Sequence, residues 1–347
     1  MNDDFQRRMA EAARLMRGGN LMEATAAIQQ ALGGTASAKR DDADVVDVEA
    51  RVIPDADATS TPSAARGTTE SFVAGHFRNE CGVRDYKLFE PARDGRPLPL
   101  VVMLHGCTQD PDDFARGTRM NALARAQGFL VLYPAQSQRA NAQRCWNWFK
   151  HNHQARGKGE PAILAGMVRE VIATHGVDPD RVYVAGLSAG GAMAAILGDA
   201  YPDLFAAVGV QSGLPTGSAR DVQSAFAAMS GGAQPAGRSA KAGATPPTIV
   251  FHGDADTTVN VVNGDRILQA GGWSSTSDVV RGSTAMGVPY SRRVHVDGQG
   301  VERAEQWTIH GAGHAWSGGD LSGSYTDPRG PDASAEMLRF FLQHPKR

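Results

Sequence analysis

Four short segments hold nucleophilic, acidic and basic side chains at the spacing that acyl-transfer chemistry needs. Gly186-Leu187-Ser188-Ala189-Gly190 follows the apolar run Arg181–Ala185 and opens the small-residue stretch Ala189–Ala200. A G-x-S-x-G pentapeptide between a strand and a helix is a nucleophile elbow, a strained turn that needs small neighbours on both sides. Ser188 is therefore the candidate nucleophile, and the helix after it aims backbone N–H groups at developing negative charge. His105-Gly106-Cys107-Thr108-Gln109 closes another apolar run, Pro99–Leu104. Sites built on an elbow draw one oxyanion donor from the residue after the serine and one from the loop after an early strand. Here those donors are the N–H groups of Ala189 and Cys107. The third segment, Thr248–Val259, carries Asp254 and Asp256. A triad needs a buried carboxylate that fixes a histidine tautomer. Asp254 lies right after the turn glycine, where it can bond nearby backbone N–H groups, so Asp256 is the candidate. The fourth, Ile309–Trp316, carries His310 inside a strand signal, where packing is expected, and His314 among glycines. His314 is the candidate base.

These segments need a frame that brings them together. Pro99–Leu104, Phe129–Tyr133, Arg181–Ala185, Phe205–Gln211 and Thr248–His252 are continuous apolar runs, as expected of strands buried on both faces. Helical patterns over Asp113–Ala126, Pro161–Thr174 and Ala189–Ala200 alternate with them, after an antiparallel pair at Ser71–Phe77 and Arg84–Phe89. The expected class is α/β, a mostly parallel sheet with helices on both faces. Ligands in such folds bind at the carboxyl ends of strands, where all four segments sit. Ahead of this domain (71–347), residues 1–32 read as a helical hairpin, its stripes running through 4–32 around Gly18-Gly19-Asn20, and 33–70 as a flexible linker rich in Ala, Asp, Thr, Ser and Pro. The hairpin's apolar stripes suit self-association or docking on a polymer granule.

Charge nearly cancels, 35 Lys+Arg against 37 Asp+Glu, which leaves no electrostatic footprint for nucleic acid. No run of 18 apolar residues predicts a transmembrane helix. The first twenty residues carry acids and lack the apolar run of a signal peptide, so the expected compartment is the cytoplasm.

The segments LHGCTQ, CWNWF, VYVAGLSAGGAMA, HGDADTTV and GHAWSGG together resemble the polyhydroxybutyrate depolymerase-type esterases, α/β-hydrolases related to feruloyl and acetylxylan esterases. The order Ser188, Asp256, His314 is the α/β-hydrolase order. The resemblance spans about residues 71–342 and implies those three as triad, Cys107 and Ala189 as oxyanion donors, and carboxylic ester hydrolysis without metal or organic cofactor. It implies polyester or oligo(3-hydroxybutyrate) substrates, with feruloyl or acetylxylan esters as the alternative; a granule- or partner-binding protein acting through the hairpin is a reading of another class. Secreted depolymerases of this group carry a signal peptide and a polymer-binding domain. The expectation here is therefore oligomers, soluble esters or amorphous polymer, with an extracellular location as the alternative that many members suggest.

Trp146, Trp148 and Trp316 lie close to the proposed loops in sequence and are expected to line an apolar substrate groove, with core packing as the plainer reading. Cys145 has two readings. A metal cluster with His151 and His153 lacks a fourth ligand at suitable spacing; a disulfide with Cys107 would brace the oxyanion loop. Residues 213–247, rich in Gly, Ala and Ser, read as a long surface loop or a cap over the site.

Overall fold

The alternation of apolar runs and amphipathic segments produces a ten-stranded sheet, here in a computed structural model that describes residues 69–232 and 245–346. The expected hairpin (1–32), nearly all of the linker and the middle of 213–247 lie outside the described residues. Strands β1 (Ser71–Asn79), β2 (Gly82–Glu90), β3 (Leu98–Leu104), β4 (Leu130–Pro134), β5 (Val177–Leu187), β6 (Ala207–Gln211), β7 (Thr248–Gly253), β8 (Ser274–Ser283), β9 (Pro289–Val296) and β10 (Glu302–Ile309) are ordered 1-2-4-3-5-6-7-10-9-8. The six central strands, β4 to β10 in that order, run parallel. Antiparallel pairs flank them on both sides.

Parallel strands need crossovers, and the crossover helices cover both faces. Helices α3 (Gly159–Thr174), α4 (Ala189–Ala200), α5 (Val222–Met229) and α6 (Val262–Ala270) bury their apolar residues on one face with Leu100, Val102, Leu104, Val182 and Val184. Helices α1 (Pro111–Thr118), α2 (Met120–Gln127) and α7 (Ala333–Gln343) cover the other with Val101, Met103, Tyr183, Ala185 and Phe251. Neighbouring residues of one strand thus enter opposite cores, which is why the runs are unbroken rather than alternating. Each fully buried side chain of this size contributes about 1.5–3 kcal/mol over its exposed state.

Two expectations change, and one pair of strands is new. The single helix expected over Asp113–Ala126 is two, broken at Arg119, whose φ of 54° is left-handed. Its guanidinium donates to the carbonyl of Gly318 and to Asp332, so a tertiary anchor overrides the local helical pattern. The β8–β9 hairpin was not legible: both strands are polar and pair at the sheet's edge. Within 213–247, Asp221 caps α5 through a reciprocal pair of bonds with Ser224, so part of that segment is an ordered helix. A two-stranded pair, β11 (Trp316–Ser317) with β12 (Thr326–Asp327), completes the described strands. Among the described residues no helix is long and apolar enough to cross a membrane.

Candidate active site

The sheet order sets the ends of β3, β5, β6, β7 and β10 side by side, about 4.8 Å per step. The loops that leave those ends hold every residue of the proposed triad and oxyanion hole. Ser188 sits between β5 and α4 with φ 57° and ψ −118°, a conformation non-glycine residues rarely adopt. Such strain costs about 1–3 kcal/mol and persists only where surroundings enforce it. The enforcement is visible: a side chain at Gly190 would collide with the carbonyl oxygens of Leu104 and His105, and one at Gly186 with the backbone of Gly190. The two glycines let the elbow fold against the end of β3. The backbone N–H of Ser188 donates to the Gln211 carbonyl at 2.9 Å and ties the elbow to β6.

The acid and base come from the next loops. His314 Nδ1 donates to Asp256 Oδ2 at 2.7 Å, with side chains 10% and 0% exposed. Asp256 Oδ1 accepts the N–H groups of Thr258 and Val259, both at 2.8 Å. Burial works against the Asp256 charge, but the hydrogen bonds from His252, His314 and Val259 outweigh it and hold the carboxyl well below the usual range. An ionised Asp256 can only accept, so Nδ1 of His314 carries the proton and Nε2 keeps its lone pair in the neutral ring. The segment after His314 turns back across the sheet, and Ser317 N–H donates to the side chain of Gln211. Gln211 therefore touches both the nucleophile's turn and the histidine's loop.

The oxyanion loop is held from three sides. Gly106 N–H donates to Gln109 Oε1 at 2.8 Å and Thr108 N–H to the Gln143 carbonyl at 2.7 Å. Between them, the N–H of Cys107 has no acceptor among the described residues. The N–H of Ala189 opens α4, a position whose donors have no partner within the helix. A disulfide joins Cys107 to Cys145, which settles the two readings of Cys145 and removes its thiolate as a metal ligand. His105, fully buried, has its pKa pushed down to about 4 by desolvation. Its neutral ring is fixed from both ends, Nδ1 donating to the Gly106 carbonyl and Nε2 accepting from Gln136 N–H.

Sequence reasoning missed four contributors. His252 lies beneath Asp256, its Nε2 donating to the Val259 carbonyl at 2.9 Å and standing 3.5 Å from Asp256 Oδ2. Only its spacing within HGDAD hints at this. Glu160 is a fully buried carboxylate that accepts from Arg84, Gln136 and both nitrogens of Asn147. Burial opposes its charge, and those bonds prevail and lower its pKa. Gln136 also donates to the Cys145 carbonyl, so Glu160 braces the far end of the disulfide. Thr108, exposed and next to Cys107, meets the Tyr325 hydroxyl at 3.3 Å and ties the oxyanion loop to the segment after His314.

The tryptophan expectation is corrected. Trp146 and Trp316 are 0% and 1% exposed and Trp148 only 5%. Trp146 donates to the His105 carbonyl and Trp316 to Ser334, so their polar edges are satisfied inside the core and they support the loops from behind. His310 is not packed either: its side chain is 39% exposed and Nδ1 donates to Asp254 at 2.8 Å. Asp254 does accept a backbone N–H, that of Gly311, as its place after the turn suggested.

Residues 85–278 match the esterase PHB depolymerase family. Poly(3-hydroxyalkanoate) depolymerase C of Paucimonas lemoignei is 35% identical over 244 residues, 66% of this chain and 58% of that protein. Feruloyl esterase B of Thermothelomyces thermophilus is 30% identical over 239 residues, 63% of this chain and 80% of that protein. The chain spans little more than half the length of the depolymerase. Among solved structures, an acetyl xylan esterase from Aspergillus awamori superposes with a TM-score of 0.57 at 21% identity, over 75% of this chain and 94% of that one, a likeness of fold.

Proposed function

Because the chain belongs to the esterase PHB depolymerase family, we propose that it is a serine hydrolase that cleaves carboxylic esters, with oligo- or poly(3-hydroxybutyrate)-type polyesters as substrate. The observation that carries this reading is the buried Asp256–His314 pair at 2.7 Å, on a loop tied through Gln211 to the strained turn of Ser188. Ser188 attacks the ester carbonyl while Nε2 of His314 takes its proton, and Asp256 stabilises the imidazolium. The N–H groups of Cys107 and Ala189 receive the oxyanion, each worth about 10²–10³ in rate. His314 returns the proton to the departing alcohol, and water repeats the sequence on the acyl-enzyme to free the acid. The near-neutral chain suits an uncharged ester backbone.

A second reading stands on coverage: the feruloyl esterase matches over 80% of its own length, the depolymerase over 58%. A panel of 3-hydroxybutyrate oligomers, methyl ferulate and acetylated xylan, run on wild type and Ser188→Ala, tests both. Turnover of the oligomers that vanishes in Ser188→Ala supports the polyester reading; turnover confined to methyl ferulate or xylan replaces it. Turnover that survives Ser188→Ala defeats the catalytic reading itself. Residues 4–32 would serve as the docking element for polymer or a second copy, and deleting them is expected to weaken polymer binding while sparing oligomer hydrolysis.

A further inference from the structure

A second Ser–His–Asp array stands beside the first, built from residues the proposed reaction does not use. Ser291, on β9, lies across from Thr308 of β10, and its Oγ is 2.8 Å from Nε2 of His310. Nδ1 of His310 is 2.8 Å from Asp254 Oδ2, whose other oxygen accepts the Gly311 N–H at 2.7 Å. Burial opposes the Asp254 charge, yet these two bonds lower its pKa, so the carboxylate can only accept and Nδ1 must donate. In the neutral ring Nε2 is then a lone pair, and the Ser291 hydroxyl is obliged to donate to it. That is the polarity a general base requires to take a serine proton. The array is open, with Asp254 and His310 side chains 38% and 39% exposed.

We propose that Ser291 is a second nucleophile, with His310 as its base and Asp254 as the positioning residue, and that it accepts acyl groups from activated aryl esters. The restriction to activated esters follows from what the array lacks. Ser291 lies within a strand, with no helix N-terminus after it to hold an oxyanion. Arg281, exposed and directly across the β8–β9 pair, is the neighbouring cation and has no ion-pair partner among the described residues. Without a preorganised hole the array forgoes about 10²–10³ per missing donor, so only a good leaving group departs. In the step, the bond from Ser291 Oγ to the acyl carbon forms and the bond to the phenolate oxygen breaks. The hydroxyl proton passes to His310 Nε2 and from there to solvent.

The proposal does not depend on the reading of Ser188, and the test separates them. The full-length Ser188→Ala protein is exposed to p-nitrophenyl acetate and its peptides are mapped by mass. Ser291 is expected to carry acetyl, and the acetylation rate to fall about 100-fold or more when His310→Gln is added, the usual contribution of a general base. An unmodified Ser291, or an unchanged rate in the His310→Gln protein, overturns the proposal. The wild-type chain gives the same answer without substitution. Exhaustive treatment with a fluorophosphonate is expected to label Ser291 as well as Ser188, and absence of label on Ser291 overturns it.

Discussion

Asp254 and Asp256 lie two residues apart on one loop, His310 and His314 four apart on another, and each aspartate takes one histidine. The two pairs have almost the same length, 2.8 and 2.7 Å, and differ in what surrounds them. Asp256 is wholly buried, accepts two backbone N–H groups and rests on His252; Asp254 is 38% exposed and accepts one. A hydrogen bond to a carboxylate gains strength where water is excluded and loses it where water competes. Residue type and distance therefore do not distinguish the proposed catalytic pair from its neighbour. Burial does: the side chains of Asp256 and His314 are closed off from water, and those of Asp254 and His310 are not.

Removing each nucleophile gives the widest contrast. Ser188→Ala is expected to lower kcat on 3-hydroxybutyrate oligomers about 10⁶-fold, as when a triad serine is lost. A loss below about 100-fold would mean that the Asp256–His314 pair serves another group. Opening the disulfide comes next. Cys145→Ser frees the loop that holds the Cys107 N–H, with up to about 10²–10³ in rate at stake and about 2–4 kcal/mol in stability for the released loop. Stopped kinetics and denaturant titration read the two effects separately.

The acid response sharpens the contrast in burial. His105, pushed down to about 4 from 6.5, favours the folded state as a neutral ring. Its contribution is complete above pH 6.5 and is lost as pH falls toward 4, on the order of 3 kcal/mol for a shift of this size. The depressed Asp256 acts in a lower window: its contribution is present above about pH 3.8 and lost only below it. Denaturant midpoints measured from pH 7 to 3 should fall first through the histidine window. A flat profile between 6.5 and 4 would contradict the buried His105. The smallest effect belongs to Ser291→Ala, expected to leave kcat/KM on oligomers within about twofold, since that array has no part in the Ser188 reaction.

Much of this was legible in the sequence for a physical reason. Strands buried on both faces must be continuously apolar, so β3 to β7 announce themselves, and the elbow's glycines are dictated by backbone contact at Leu104 and His105. The two loop positions singled out in the sequence, Asp256 and His314, do meet, at 2.7 Å. The exposure of His310 was not legible, because its partners, Ser291 on β9 and Asp254 after β7, lie 19 and 56 residues away in sequence. Polar edge strands carry no core signature. The tryptophans showed their type but not their partners: Trp146 finds a carbonyl 41 residues away in sequence. Glu160 was invisible, a charge whose satisfaction comes from Arg84, 76 residues away, as well as from Gln136 and Asn147. Helix α7 offered a readable signal in the Asp332 cap ahead of Met337, Leu338 and Phe341, beyond the last motif that chemistry called for.

The measurement that bears most directly on the whole account is a pair of single substitutions, Asp256→Asn and Asp254→Asn, assayed side by side for kcat/KM on 3-hydroxybutyrate oligomers. Replacing the buried acid of a triad by its amide holds the wrong tautomer and costs about 10⁴-fold; that loss is expected for Asp256→Asn, while Asp254→Asn stays within about tenfold. Equal losses, or the larger loss at Asp254, would contradict the assignment of Asp256 and His314 as the working pair.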